Sequence, residues 1–343
     1  MRSLAKSGKM SRRYGRDLVQ ADNAVLGSIG RKRICFGLST RNGSILHETI
    51  RTYDAHVVSG VSAALTTFQR DLGISVLPRR SAFSVPGLVR GDAISITKTS
   101  WFLSRSGLKG MLGEPPLVLN DFAAEAWALC AAEGHVREAF SGSNGSPAKR
   151  SGTFLVIGIT SGLGVAAIHR NETGAVTVLP TEAGHGAFAA VTPELIDLAA
   201  MLSISRQPVT AEELVSAPGL LTIYNALSRQ RGCLPRAKTP EDVTRSTATD
   251  PIAHAACDLL AKAFWAQAGS LTMSLGAWDG LLVAGAVAHA ILPSLRKPEA
   301  QALFATSMKF RRALSDVPRA LISYENAELV GLGEALRHRW SHA

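Results

Sequence analysis

Short apolar runs and segments of helical spacing alternate along the chain, and the runs fall into two similar groups. In the first, residues 25–30 read as a strand entering a turn and 34–39 as a second strand. Residues 44–51 form a third, beyond the Asn42-Gly43 hairpin signal. In the second group, residues 154–159 are a strand, Thr160-Ser161-Gly162 a turn and 163–169 the return strand. A third strand, 175–179, follows the turn residues Asn171 to Gly174. A strand–tight turn–strand–turn–strand unit that recurs about 130 residues later points to two related lobes, not to a solenoid of short repeats.

Between the groups, Val58, Val61, Leu65 and Phe68 carry helical spacing over 57–72. Residues 82–85 and 93–97 read as strands, and a helix is expected over 102–112. The Ser/Gly-rich run 141–152 reads as a loop. Helices then dominate, over 192–204, 218–230 and 251–275, before strands at 280–284 and 320–324 and a last helix over 327–339. This alternation makes the chain α/β.

The stretch linking the two groups is the most telling. Leu117, Val118 and Leu119, between a proline pair and Asn120-Asp121, read as a buried strand. The small, helix-favouring residues from Ala123 onward start a helix with Asn120 or Asp121 at its N-cap. A carboxylate therefore stands at the carboxyl end of a buried strand, where α/β proteins place their ligands. Taken alone, Asp121 need do no more than cap that helix.

Composition narrows the class. At 343 residues the chain can build two lobes, each with its own core. Its 46% hydrophobic and 19% charged residues are those of a soluble globular protein, and no apolar run approaches the eighteen or so residues of a membrane span. Cys35, Cys130, Cys233 and Cys257 are widely spaced and form no metal-ligand pattern, which suits a reducing cytoplasm. The net charge of +10 is uneven: Arg2, Lys6, Lys9, Arg12, Arg13 and Arg16 all precede the first acidic residue, Asp17. Without an apolar core this tail is no secretory signal; it has a faint organellar-presequence character and reads better as a disordered extension. Aromatics, at 6%, are too few for basic residues interleaved with aromatic platforms, so neither a nucleic acid nor a membrane is an expected partner.

Two segments carry candidate chemistry. Paired hairpins with small-residue turns can hold a triphosphate, because glycine lets the backbone N–H groups approach its oxygens; residues 158–164, with Gly158, Gly162 and Gly164, suit that role. Any tight hairpin uses such residues, so the turn alone says little. Just after it, Glu182-Ala183-Gly184-His185 sets a carboxylate and an imidazole three residues apart beside small residues. Both groups can bond vicinal hydroxyls, as a sugar site requires; read singly they are ordinary loop residues. A zinc site would lack its remaining ligands.

Together, Leu119-Asn120-Asp121-Phe122, residues 158–165, Glu182 to His185, Glu212 before Ser216-Ala217-Pro218-Gly219-Leu220, and Gly280 to Gly285 occur in the order seen in bacterial glucokinases, which the chain resembles from about residue 25 to 337. Residues 326–333 also resemble that family's closing segment. The resemblance implies a fold of the hexokinase/actin-like ATPase superfamily. This is a two-lobed, ribonuclease-H-like α/β architecture, each lobe a mixed sheet with flanking helices, with a cleft between the lobes. On that pattern 1–23 is a basic tail, 24–131 a small lobe completed by 325–343, and 132–324 a large lobe. The implied activity is an ATP- and Mg2+-dependent hexokinase of glycolysis, phosphorylating the 6-hydroxyl of glucose. Asp121 takes the hydroxyl proton as the alcohol attacks the γ-phosphate, chemistry that suits a positioned carboxylate. Asn120, Asp121, Glu182, His185 and Glu212 hold the sugar; Gly30, Thr160, Ser161, Gly162 and Gly164 cradle phosphates, and Gly285 lies against adenosine. Lobe closure would exclude water. No residue is assigned as a metal ligand, and the resemblance leaves a homodimer open.

The first hairpin departs from the family. Where Asp-Ile-Gly-Gly-Thr-Asn is usual, this chain has Ser28-Ile29-Gly30-Arg31-Lys32-Arg33. The missing Asp normally helps position the hydrated metal. Three cations could restore charge but not Mg2+ orientation. Thr160-Ser161 replaces Gly-Thr, Ala183 and Ala286 replace glycines, and Thr97-Lys98 stands where Thr-Asn is usual. Two functions follow: a working glucokinase with an unusual phosphate loop, or a sugar-binding relative with weak or no kinase activity, a pseudokinase or regulator. An actin-like structural protein gives no reason for Glu182, His185 and Glu212 to occur together. The retained base favours the enzyme.

Overall fold

Parallel and antiparallel pairing meet at β1 (Ala24–Ile29), the central strand of the first sheet. The computed structural model describes residues 22–97, 99, 101–131, 135–142, 150–203 and 207–341. The expected basic tail up to residue 21, Lys98 of the Thr-Lys pair and residues 143–149 of the Ser/Gly-rich run lie outside the described residues. Two compact units are found, one from Met1–Glu133 with Glu325–Ala343 and one from Gly134–Tyr324.

In the first unit β1 pairs antiparallel with β2 (Arg33–Ser39), which pairs antiparallel with β3 (Ile45–Asp54). On its other side β1 is parallel to β4 (Arg80–Val85). A small ribbon of β5 (Ala93–Ser95) and β6 (Phe102–Ser104) intervenes in the chain before β7 (Leu117–Asn120) adds parallel to β4. The strand order is β3-β2-β1-β4-β7. Alternate residues of β1 serve opposite faces. Val25 and Ile29 join Phe83, Val85 and Val118 against Val61, Leu65 and Phe68 of the helix Val61–Leu72. Ala24, Leu26 and Ala82 pack with Leu329, Leu332 and Leu336 of the C-terminal helix Ala327–Ser341. Burial on both faces explains why the strand is a near-continuous apolar run.

The second unit repeats the plan. β9 (Gly152–Ile159), β10 (Leu163–Arg170) and β11 (Val176–Thr181) form the antiparallel meander, and β12 (Gly280–Ala284) and β13 (Arg319–Ser323) continue in parallel from β9. β8 (His135–Ser141) closes the far edge antiparallel to β13, giving β11-β10-β9-β12-β13-β8. The first five positions match the first sheet, so the duplicated sequence pattern is a duplicated sheet. The helix Pro251–Leu275 runs through this unit's core, capped by Asp250 (Ile252 N–H donates at 2.8 Å) and ended by Gly276 in the left-handed region. Trp265, fully buried in it, donates Nε1–H to the Leu295 carbonyl at 3.1 Å, as a buried indole must.

Two expectations need correction. The helix expected from 57 starts at Val61, because Gly60, at φ 149°, lies outside the helical region, and Val57 is exposed. The helix expected over 102–112 begins at Arg105. Phe102–Ser104 is strand, with Leu103 buried between exposed Phe102 and half-buried Ser104, and Ser104 caps the helix by accepting from Gly107 N–H. Strand β8 shows no alternation, with Arg137-Glu138 and Ala139-Phe140 side by side in its sequence, and the short helices Ala211–Leu214 and Pro240–Arg245 carry too few residues to show a period.

Candidate functional site

Strand β7 ends on Asn120, which caps the helix Asp121–Ala128. Its Oδ1 accepts from the N–H groups of Phe122 (2.8 Å) and Ala123 (3.2 Å), and its Nδ2 donates to the Gly87 carbonyl (3.2 Å). Capping thus falls to Asn120, a choice the sequence left open. Asp121 occupies the first helical turn, where the helix dipole favours a carboxylate, and its Oδ1 accepts from Phe122 N–H at 2.8 Å. Beside this strand end, Thr97 directs both its N–H and its Oγ1–H to the Pro86 carbonyl at 3.1 Å.

A second carboxylate lies one turn along. Glu125 lies near enough to the C-terminal helix to feel the charge of its Glu328, and Gly331 of that helix lies against the Ala124 carbonyl so closely that no side chain fits. Burial first, then the charges of Glu328 and Asp121, push the Glu125 carboxyl up to about 8. Glu328, in the first turn of the C-terminal helix, accepts at Oε2 from Ser28 Oγ–H (2.8 Å) and Ser84 Oγ–H (2.5 Å). Burial holds its carboxyl above the usual range, against the lowering effect of these two bonds. Sequence reasoning missed Glu125, Glu328 and Ser84; the one available signal for Glu328 was its place in the closing segment, 326–333.

The β1–β2 turn is tight: Gly30 N–H donates to the Arg33 carbonyl at 2.9 Å, leaving Arg31 and Lys32 at the tip. Lys32 and Arg33 are exposed and Arg31 is half-buried.

In the second unit three motifs meet at Leu163. Its N–H donates to Glu212 Oε2 at 3.1 Å, and its carbonyl lies against Gly184, where a Cβ would collide with it. Gly162, just before, lies against the same Glu212 carboxylate. Glu212 sits on the helix Ala211–Leu214, which a Thr210/Glu213 capping box starts and the Ala211 N–H bond to the Gly186 carbonyl (2.9 Å) ties to the 182–186 segment. Glu182 and His185 stand 3.9 Å apart at either end of the turn Ala183–His185, both substantially exposed. The structure therefore brings Gly162, Glu182, His185 and Glu212 together within this unit.

The turn after β9 is held from two sides. Thr160 N–H donates to the Gly162 carbonyl (2.9 Å), and the Thr160 carbonyl accepts from Ala217 N–H (2.8 Å) at the start of the helix Ala217–Gln230. Gly285, at φ 97°, lies against the Ile159 backbone, so Ser161, Gly162 and Gly285 flank one strand end while Gly164 pairs with Gly158 inside the hairpin. A side chain at 285 is excluded both by φ and by this contact. Ala286 is exposed, and Ala183 packs against the unit's core. Among the described residues no group of three or more His, Cys, Asp or Glu could hold a metal ion, and no helix is long and apolar enough to cross a membrane.

A family model described as Glucokinase matches residues 25–339. The glucokinase of Xanthomonas campestris pv. campestris (strain B100) is 32% identical over 314 residues, covering 90% of this chain and 92% of its own. Among solved structures, a glucokinase from an Antarctic psychrotroph has a TM-score of 0.77 at 22% identity, covering 92% of this chain and 99% of that one. A ROK family glucokinase from Streptomyces griseus, in complex with glucose and AMPPNP, has a TM-score of 0.61 at 16% identity, covering 91% and 98%. These neighbours show the fold, the actin-like ATPase architecture that the motif order implied. With the family model running almost from β1 to the end of the C-terminal helix, this chain belongs to the glucokinase family.

Proposed function

We propose that the protein is a glucose kinase that transfers the γ-phosphoryl group of ATP to the sugar's 6-hydroxyl, with Asp121 as general base. The observation that carries the reading is the junction at Leu163, which gathers Gly162, Glu182, His185 and Glu212, four residues that chance has no reason to collect. An alcohol is a poor nucleophile, and the Asp121 carboxylate accepts its proton as the new P–O bond forms. Asn120, by taking the cap, fixes the backbone from which Asp121 acts. Glu182, His185, Glu212 and the Asn120 amide hold sugar hydroxyls; a site built of such groups rejects sugars that leave them unpaired.

Gly30, Thr160, Ser161, Gly162 and Gly164 offer backbone and hydroxyl groups to the phosphates, and Gly285 lies against the adenosine. Mg2+, when bound with the nucleotide, neutralises charge on the transferring group. We place the enzyme in the cytoplasm, where the thiols of Cys35, Cys130, Cys233 and Cys257 stay reduced.

A coupled assay with glucose and Mg·ATP, beside glucose-induced thermal stabilisation, tests the reading. Asp121→Asn is expected to lose about 10²–10⁴-fold in turnover with stabilisation retained; wild-type-like turnover in this variant would sink it. A second reading, a sugar-binding protein without kinase turnover, is favoured by the cation-bearing β1–β2 turn. Stabilisation of the wild type by glucose without turnover would select it.

A further inference from the structure

Ser28 and Ser84 occupy the same register position on the neighbouring parallel strands β1 and β4, near the carboxyl ends where α/β sheets gather their ligands. Both hydroxyls donate to one oxygen, Oε2 of Glu328. Its other oxygen takes no donor among the described residues, and no Lys or Arg among them pairs with it. Glu125 lies near enough for the Glu328 charge to act on it, and Asp121 acts on the same Glu125 carboxyl. A half-buried carboxylate that has hydroxyl donors but no counter-charge is costly to keep, unless a cation arrives with a ligand. An apolar side chain would fasten the helix start to the sheet at less cost.

Position 28 is where the family resemblance leads one to expect a carboxylate on β1, and this chain has serine. We infer that Glu328 supplies that carboxylate from the C-terminal helix, as a positioning residue that orients the hydrated Mg2+ of the nucleotide through its water shell. The inference rests on the kinase reading above. The donor set fits the ion: one hard carboxylate, fixed in rotamer by two outer groups, for a cation that keeps several waters. It also accounts for serine at 28, since serine donates to Glu328 where an aspartate would repel it.

Glu328→Gln keeps an oxygen for both serines and removes only the charge. Mn2+ serves as the probe, titrated by electron paramagnetic resonance into the full-length protein with AMPPNP and glucose. The expected result is Mn2+ binding weakened about 10–100-fold, a raised Mg2+ requirement for turnover, and glucose stabilisation equal to wild type. Ser28→Asp combined with Glu328→Gln returns the carboxylate to β1 and recovers affinity at least in part; Ser28→Asp alone does not. The inference is overturned by unchanged Mn2+ affinity in Glu328→Gln, by loss of glucose stabilisation alongside it, by a folded double variant with no recovery, or by a wild type that binds no Mn2+ with AMPPNP. If Glu328→Gln loses Mn2+ while no form turns over glucose, the kinase reading falls and the role of Glu328 stands. If wild type and Glu328→Gln turn over glucose with the same Mg2+ dependence, the kinase reading stands and the role of Glu328 falls.

Discussion

Leu163 donates its backbone N–H to Oε2 of Glu212 at 3.1 Å, so the position of a candidate sugar-binding carboxylate is set by the main chain of a hairpin. The Thr210/Glu213 capping box fixes the first turn of the short helix that carries it. Glu212 thus has little rotamer freedom to lose on binding. Glu212→Ala is expected to raise the KM for glucose about 10–100-fold, the worth of a hydrogen bond to a charged group, with a smaller change in kcat. Initial rates over a glucose series measure the split. A KM within twofold of wild type would remove Glu212 from the sugar site.

Gly184 answers to the same residue from the other side. A methyl group there would meet the Leu163 carbonyl, a backbone atom that cannot move without shifting the hairpin. Gly184→Ala is therefore expected to cost about 1–3 kcal/mol of stability and to displace the turn that carries Glu182 and His185. Thermal unfolding with and without glucose separates the two effects. The expected result is a lower Tm together with a glucose-induced shift that is nearly abolished; an unchanged shift would mean that the turn moves without consequence.

Much of the fold is legible in the sequence. The duplicated meander, the long helix 251–275 and strand 280–284 show in the apolar periodicity, because each is long or fully buried. Glycines at 184, 219 and 285 have a common cause that sequence cannot display, close backbone approach to Leu163, Leu214 and Ile159. The β6 strand is hidden because three residues carry no period, and the Ser104 cap looks like one more helical position. Glu328 is hidden for a different reason: its partners are 244 and 300 residues away, on strands it meets only through tertiary packing.

Stability should fall as pH rises through the neutral range. Glu125 titrates at about 8 in the folded protein against 4.5 for an ordinary glutamate, so the fold holds a proton that the unfolded chain releases. Its contribution is fully present below about pH 4.5, declines between 4.5 and 8, and levels off above. Glu328 is raised in the same sense and adds to the slope. Glu125→Gln removes its share, so the variant is expected to be more stable than wild type at pH 8 and nearly equal at pH 5. Denaturant unfolding at these two pH values decides it, and an equal difference at both would show that Glu125 does not titrate in this window.

Asn120 has two duties that different substitutions separate. Its Oδ1 caps the helix that starts at Asp121, while Nδ2 spends one of two hydrogens on the Gly87 carbonyl, and the proposed function gives the other to a sugar hydroxyl. Asn120→Asp keeps a capping oxygen and loses the amide donor; Asn120→Ala loses both. Asn120→Ala is expected to lower stability by about 1 kcal/mol and Asn120→Asp to stay near wild type. Both should raise the KM for glucose, because both lack the donor. Only Asn120→Ala should also lower kcat, since the uncapped first turn no longer fixes the backbone of Asp121. Equal kcat in the two variants would show that the cap does not position the base.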